Sequence, residues 1–128
     1  MRQGNIMVKR NYNVKQLKSY YDAENDLFYA HKENTKVFSN IMLGDFHIEY
    51  DREGNIVGIE VLNATDVLKE YGVSKEMLKQ MQDVQIKVIE KQSTILVWLI
   101  IVGKGKEQGI PITMNNPESP MQQLIARK

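Results

Sequence analysis

Three carboxylates within five residues, Asp22, Glu24 and Asp26, have the i, i+2, i+4 spacing of a loop cluster that could hold a hard cation such as Ca²⁺. The same acids could serve a metal-dependent enzyme. The run lacks the glycine and the distal bidentate glutamate that complete an EF-hand loop. Asp and Asn also bond their own nearby backbone, so Asp22-Ala23-Glu24-Asn25-Asp26 reads first as a turn carrying surface charge.

His31 and His47 are the two histidines, the residue type most often used as a catalytic base. No serine or carboxylate stands at a spacing that would mark a triad, so surface or cross-strand roles are expected for both. Glu60 falls on the same side of its strand as Gly58. It is read either as a partly buried acid or as the cross-strand partner of a lysine. Gly103, Gly105 and Gly109 suggest a phosphate loop, but the third glycine of a dinucleotide fingerprint would fall at Gln108. Such a loop must also open a helix, whereas this one leads into a strand, so a β-hairpin loop is the better account. No catalytic set, cofactor motif or resident cofactor is predicted.

Arg2, Lys9, Arg10, Lys15 and Lys18 interleave with Tyr12, Tyr20 and Tyr21. A basic arm with stacking rings could bind nucleic acid. Against this, Lys plus Arg is 17 and Asp plus Glu is 16, and a net charge of +1 gives no global attraction to a polyanion. A solvated arm is therefore favoured over a nucleic-acid-binding regulator. The absence of cysteine removes disulfides, thiolate zinc sites and cysteine nucleophiles. Met1 to Asn5 lead into no apolar stretch of signal-peptide length, and the longest apolar run, Ile95 to Val102, falls far short of the ~20 residues that span a bilayer. A cytoplasmic setting is expected.

The elements that would position these residues follow from periodicity. Residues 1–14 are basic and polar and read as a loosely ordered lead-in or an edge strand. Residues 15–114 read as one α+β domain, and 115–128 as a C-terminal tail with a helix turn over 121–127. Leu17–Tyr21 and Leu27–His31 flank the acidic turn as a first hairpin. Phe46, Ile48 and Tyr50 alternate with His47, Glu49 and Asp51, and after Arg52-Glu53-Gly54-Asn55 the side chains of Val57, Ile59 and Val61 line one strand face. Asn63 or Thr65 caps a short helix that stops at Gly72, and Ser74 caps a second one that buries Met77, Leu78 and Met81. Period two returns at Val84, Ile86 and Val88. Ile110–Met114 reads as a last strand, at a sheet edge because Pro111 donates no hydrogen bond. The predicted architecture is mainly antiparallel: an N-terminal β-meander, two short central helices and a C-terminal strand group.

Two segments, Tyr21-Asp22-Ala23-Glu24-Asn25-Asp26-Leu27-Phe28-Tyr29 and Tyr50-Asp51-Arg52-Glu53-Gly54-Asn55-Ile56-Val57-Gly58-Ile59-Glu60-Val61-Leu62-Asn63-Ala64-Thr65, resemble the family catalogued as domain of unknown function 2283. The resemblance covers residues 21–65. It implies a small prokaryotic domain of strands followed by a helix. It carries no activity, so it assigns no site residue.

Ile95 to Val102 is apolar on both faces of a strand, and each face needs cover. Two short helices cover about one sheet face. The other is covered either by a second copy of the chain, through an isologous contact, or by the first hairpins folding over it as a sandwich. Leu96, Trp98 and Ile100 form the candidate interface of a homo-oligomer, most simply a dimer. The sequence thus predicts a non-enzymatic binding or structural module.

Overall fold

The structure, a computed structural model, describes residues 8–115. In chain order the elements are β1 (Val8–Val14), β2 (Leu17–Asp22), β3 (Leu27–Lys32), β4 (Ser39–Leu43), β5 (Phe46–Tyr50), β6 (Ile56–Val61), α1 (Ala64–Lys69), α2 (Lys75–Lys79), β7 (Met81–Lys91), β8 (Thr94–Gly103) and β9 (Lys106–Asn115). The strands form a five-stranded sheet of order β2-β3-β6-β5-β4 and a four-stranded sheet of order β1-β7-β8-β9. Every pairing is antiparallel.

The five-stranded sheet is not the simple meander expected. The two hairpins do form, but β6 pairs with β3 as well as with β5, so the return strand of the second hairpin lies beside the return strand of the first. Phe28 and Ala30 on β3 thereby face the core beside Val61 and Ile59 on β6. β4 is an added edge strand at which no regular pattern was read. Residues 8–14 are ordered as β1, the edge of the other sheet. Val14 faces the core opposite Ile86, and the chain crosses from one sheet to the next at Gln16, which adopts a φ of 58°. β9 is longer than predicted. The turn after β8 is only Lys104-Gly105, both at positive φ (54° and 72°) as a type I′ hairpin turn requires. Residues 106–109 therefore belong to the strand. The helix turn expected over 121–127 lies outside the described residues.

The inner faces of both sheets and the two helices meet in one core. Phe28, Ile48 and Ile59 come from one sheet, Ile86, Leu99 and Ile110 from the other, and Leu68, Met77 and Leu78 from the helices. All of these side chains are almost fully buried, and each contributes about 1.5–3 kcal/mol by leaving water. Ser74 caps α2 by accepting the Met77 N–H at 3.1 Å. Asn63 precedes α1 in a left-handed conformation and makes no side-chain cap; a more distant carboxylate takes that role. No helix among the described residues is long and apolar enough to cross a membrane.

Candidate functional site

Period two turns one set of side chains on β2, β3, β5 and β6 away from the core. On this outer face Lys18 lies opposite His31, and Tyr20 opposite Tyr29. Tyr29 in turn lies opposite Glu60, Glu60 opposite His47, and Gly58 opposite both His31 and Glu49. Both histidines and two acids thus share one face.

Gly58 is what lets them meet. It lies mid-strand between β3 and β5, where glycine ordinarily weakens a strand. A Cβ at this position would collide with Glu49 Oε1 and stand 2.9 Å from His31 Nδ1. With no side chain there, His31 Nδ1 and Glu49 Oε1 approach to 3.1 Å across β6. His31 Nε2 is 2.9 Å from the Thr35 carbonyl, so both ring nitrogens face oxygen atoms that fix the ring. The Tyr29 hydroxyl also donates to Glu49 Oε1, at 3.3 Å. Burial, then the charge and hydrogen bond of Glu49, push the Tyr29 phenol up to about 12. In the second pair His47 Nδ1 is 3.3 Å from Glu60 Oε1, so the partner of Glu60 is a histidine and not a lysine.

The arrangement holds and orients groups. Two histidine–carboxylate pairs can move protons, but among the described residues the one hydroxyl bonded to either pair is that of Tyr29, which donates to Glu49. No group of three or more His, Asp or Glu side chains among the described residues is placed to hold a metal ion.

The acidic turn is spent on structure. Asp22 accepts the backbone N–H groups of Glu24 and Asn25 at 3.0 and 3.1 Å, and the Asn25 side-chain amide at 2.8 Å. The Asn25 side-chain bond, then its backbone bond, hold the Asp22 carboxyl below its ordinary value. Asp26 points elsewhere. It accepts the Thr65 N–H at 3.0 Å, the Thr65 hydroxyl at 2.7 Å and the Tyr21 hydroxyl at 2.7 Å. Asp26 is thus the carboxylate that caps α1. Burial would raise its carboxyl, but the bonds from Tyr21 and Thr65 outweigh it, and the net shift is downward. Glu24 is exposed and joins neither group.

The basic and aromatic N-terminal set is divided between the two sheets. Arg10 pairs bidentately with Glu90, at 3.0 and 2.6 Å, and lies 4.8 Å over the Tyr12 ring. The Tyr12 hydroxyl accepts the Ile56 N–H at 2.9 Å. Tyr21 is engaged by Asp26. Lys18 and Tyr20 stand on the five-stranded sheet, away from Arg10. Arg2 lies outside the described residues.

Leu96, Trp98 and Ile100 occupy the outer face of β8. There they are half-buried, while Ile95, Val97, Leu99 and Ile101 on the other face are buried in the core. The sandwich reading therefore accounts for one face of this strand. Trp98 lies beside Gly109, where a Cβ would be 3.3 Å from its ring, and opposite Lys87 and Pro111.

Sequence reading took the histidines one at a time and missed their common face. The signal was available: a glycine at an outward position of a strand flanked by strands that carry a histidine and a glutamate at outward positions.

No solved structure matches the chain. An uncharacterized protein of Methanocaldococcus jannaschii is 38% identical over 61 residues, an alignment covering 46% of this chain and 53% of that protein. The chain thus spans about half the length of the curated relative it matches. A family model matches residues 18–64, which run from β2 through β6 to the first residue of α1 and so carry the whole histidine–glutamate face; that family is the protein of unknown function DUF2283.

Proposed function

We propose that the protein is a cytoplasmic, non-enzymatic binding module that works as a homo-oligomer, most simply a dimer, joined through the outer face of the four-stranded sheet. The observation that carries this reading is β8, whose two faces are both apolar while only one is buried in the core. On the uncovered side Leu96, Trp98, Ile100 and Val102 form a stripe with Ile89 and Pro111 at its margins. A half-buried apolar stripe centred on a tryptophan suits the centre of an interface.

A second copy is the occupant that suits this face. An isologous contact needs a self-complementary surface. Both charge signs are present, with Lys87 beside Trp98 and with Asp83 and Glu107 beside Val102. A two-fold axis can therefore set unlike charges together at the rim. Pro111 and Gly109 keep the β9 side low, which favours sheet-on-sheet packing at ~10 Å.

The test is solution mass by light scattering on the wild type and on Trp98→Glu, with circular dichroism to check the fold. A wild-type dimer that becomes a folded monomer in the variant supports the reading. A wild-type monomer at all accessible concentrations ends it.

A further inference from the structure

The outer face of the five-stranded sheet contains a concavity of about 390 Å³ lined by Lys18, Tyr20, Tyr29, His31, Glu33 and Asn34. Half of this lining is aromatic. The Tyr20 and Tyr29 rings meet with centroids 5.5 Å apart at 54°, and Tyr29 and His31 stack at 5.6 Å and 11°. Two of the three rings are fixed by hydrogen bonds. Glu49 meets both the Tyr29 hydroxyl and His31 Nδ1, and the Thr35 carbonyl takes His31 Nε2. A flat ligand finds these rings already oriented, so little side-chain freedom is lost on binding. Tyr20, 50% exposed, is the ring most open to it.

Charge narrows the choice of ligand. Two acids of this face, Glu49 and Glu60, are each in contact with a histidine. Lys18, exposed on the strand that carries Tyr20, places a cation at the rim. Glu33 and Asn34 add a carboxylate acceptor and an amide that both donates and accepts, the groups that read the edge of a base. Aromatic stacking beside a lone lysine suits a ring that bears a phosphate.

We propose that this face binds an unpaired nucleobase, stacked on Tyr20 and Tyr29, with its phosphate at Lys18. The site takes Lys18 and Tyr20 from the basic and aromatic N-terminal set but not Arg10, Tyr12 or Tyr21, and it does not depend on the oligomeric state. A nucleobase can come from a free nucleotide or from a single strand, and the experiment separates the two sources.

A fluorescently labelled single-stranded RNA of mixed sequence is titrated with the full-length protein, and AMP is added as competitor. Saturable binding is expected, weakened about tenfold by Tyr20→Ala, a loss typical of one stacked base. Lys18→Ala should lower the salt slope by about one phosphate contact. Circular dichroism of both variants should match the wild type. Direct saturable binding of AMP, or AMP displacing the strand at concentrations near its own dissociation constant, supports a free-nucleotide site. Binding of the strand alone supports a single-strand site. Failure of both ligands to saturate, or equal binding by wild type and Tyr20→Ala, overturns the proposal. So does tighter binding of tetramethylammonium than of AMP, which would make the rings a cation cage.

Discussion

The two sheets bury their inner faces in one core and then part company. The outer face of the five-stranded sheet is crossed by hydrogen bonds: Tyr29 and His31 to Glu49, His47 beside Glu60, His31 to the Thr35 carbonyl. The outer face of the four-stranded sheet carries Leu96, Trp98 and Ile100, among which the indole N–H of Trp98 is the single polar side-chain group. The first face meets most of its polar needs within the chain, with His47 Nε2 buried and unpartnered, and leaves the Tyr20 ring and Lys18 exposed. The second improves chiefly by removing more apolar area from water. The family match stops at residue 64, so the polar face lies inside it and the apolar face outside it. Under the proposed reading, a binding face and an assembly face would be carried by separate parts of one small chain.

The largest effect that would test this contrast lies within β8. Leu99→Ala should cost about 2–5 kcal/mol, because it leaves a cavity in the core. Leu96→Ala, one face over, should cost much less in dilute solution, and its cost should grow with protein concentration if a second copy covers it. Chemical denaturation at several concentrations checks both. A Leu96→Ala cost that is large and independent of concentration would mean that the outer face is covered within one chain.

On the polar face, Gly58→Ala should destabilise by about 1–3 kcal/mol through overpacking, since the new Cβ meets Glu49 and His31. Adding Glu49→Ala should return part of that loss. A double-mutant cycle that finds the two changes additive would deny Gly58 its role in admitting the pair.

The Asp26 cap comes next, at about 1 kcal/mol for Asp26→Asn. The folded carboxyl lies below its ordinary value, about 3.9 in an unfolded chain. Its contribution is therefore complete above that value and is lost as pH falls through the lower folded one. Melting temperature against pH should show a shallower acid limb in Asp26→Asn.

The smallest effect is alkaline. Tyr29 ionises in the fold at about 12, above the ~10 of an unfolded tyrosine, so its contribution holds below ~10 and is lost as pH rises through about 12. Tyr21 and Tyr50 are pushed up to about 12 as well, each chiefly by burial. Tyr29→Phe should therefore remove about one tyrosine from the late phase of a phenolate absorbance titration. An unchanged late phase would place Tyr29 in a more open setting.

Much of the fold could be read in advance where local pattern and tertiary need coincide. The alternation through Phe46, Ile48 and Tyr50 marks the buried side of β5, and that through Val84, Ile86 and Val88 the buried side of β7. Ser74 caps where its chemistry says it should. What escaped was set by distant partners. Ser39–Leu43 has weak strand character and becomes β4 by pairing with β5. The β3–β6 pairing depends on which hairpin edges meet, and local pattern does not encode that. The candidate site was half legible. His31, His47 and Glu60 could be named individually, but Gly58 gathers a face only once β3 and β5 are known to flank it. Asp22 and Asp26 share a spacing yet serve different parts of the fold, because one bonds its own turn and the other reaches α1.

The passage of the chain between sheets at Gln16 bears on how the molecule assembles. β1 comes earliest among the described strands, yet its partner is β7, and Arg10 and Glu90 are 80 residues apart in sequence. The five-stranded sheet, by contrast, closes all its pairings within residues 17–61. Joining distant segments costs more closure entropy than joining near ones, and such contacts tend to form late. In pulse-labelled hydrogen exchange β3 and β6 should gain protection before β1 does; simultaneous protection of all three would refute this order. The earliest of the described strands in the chain would then be the last one placed.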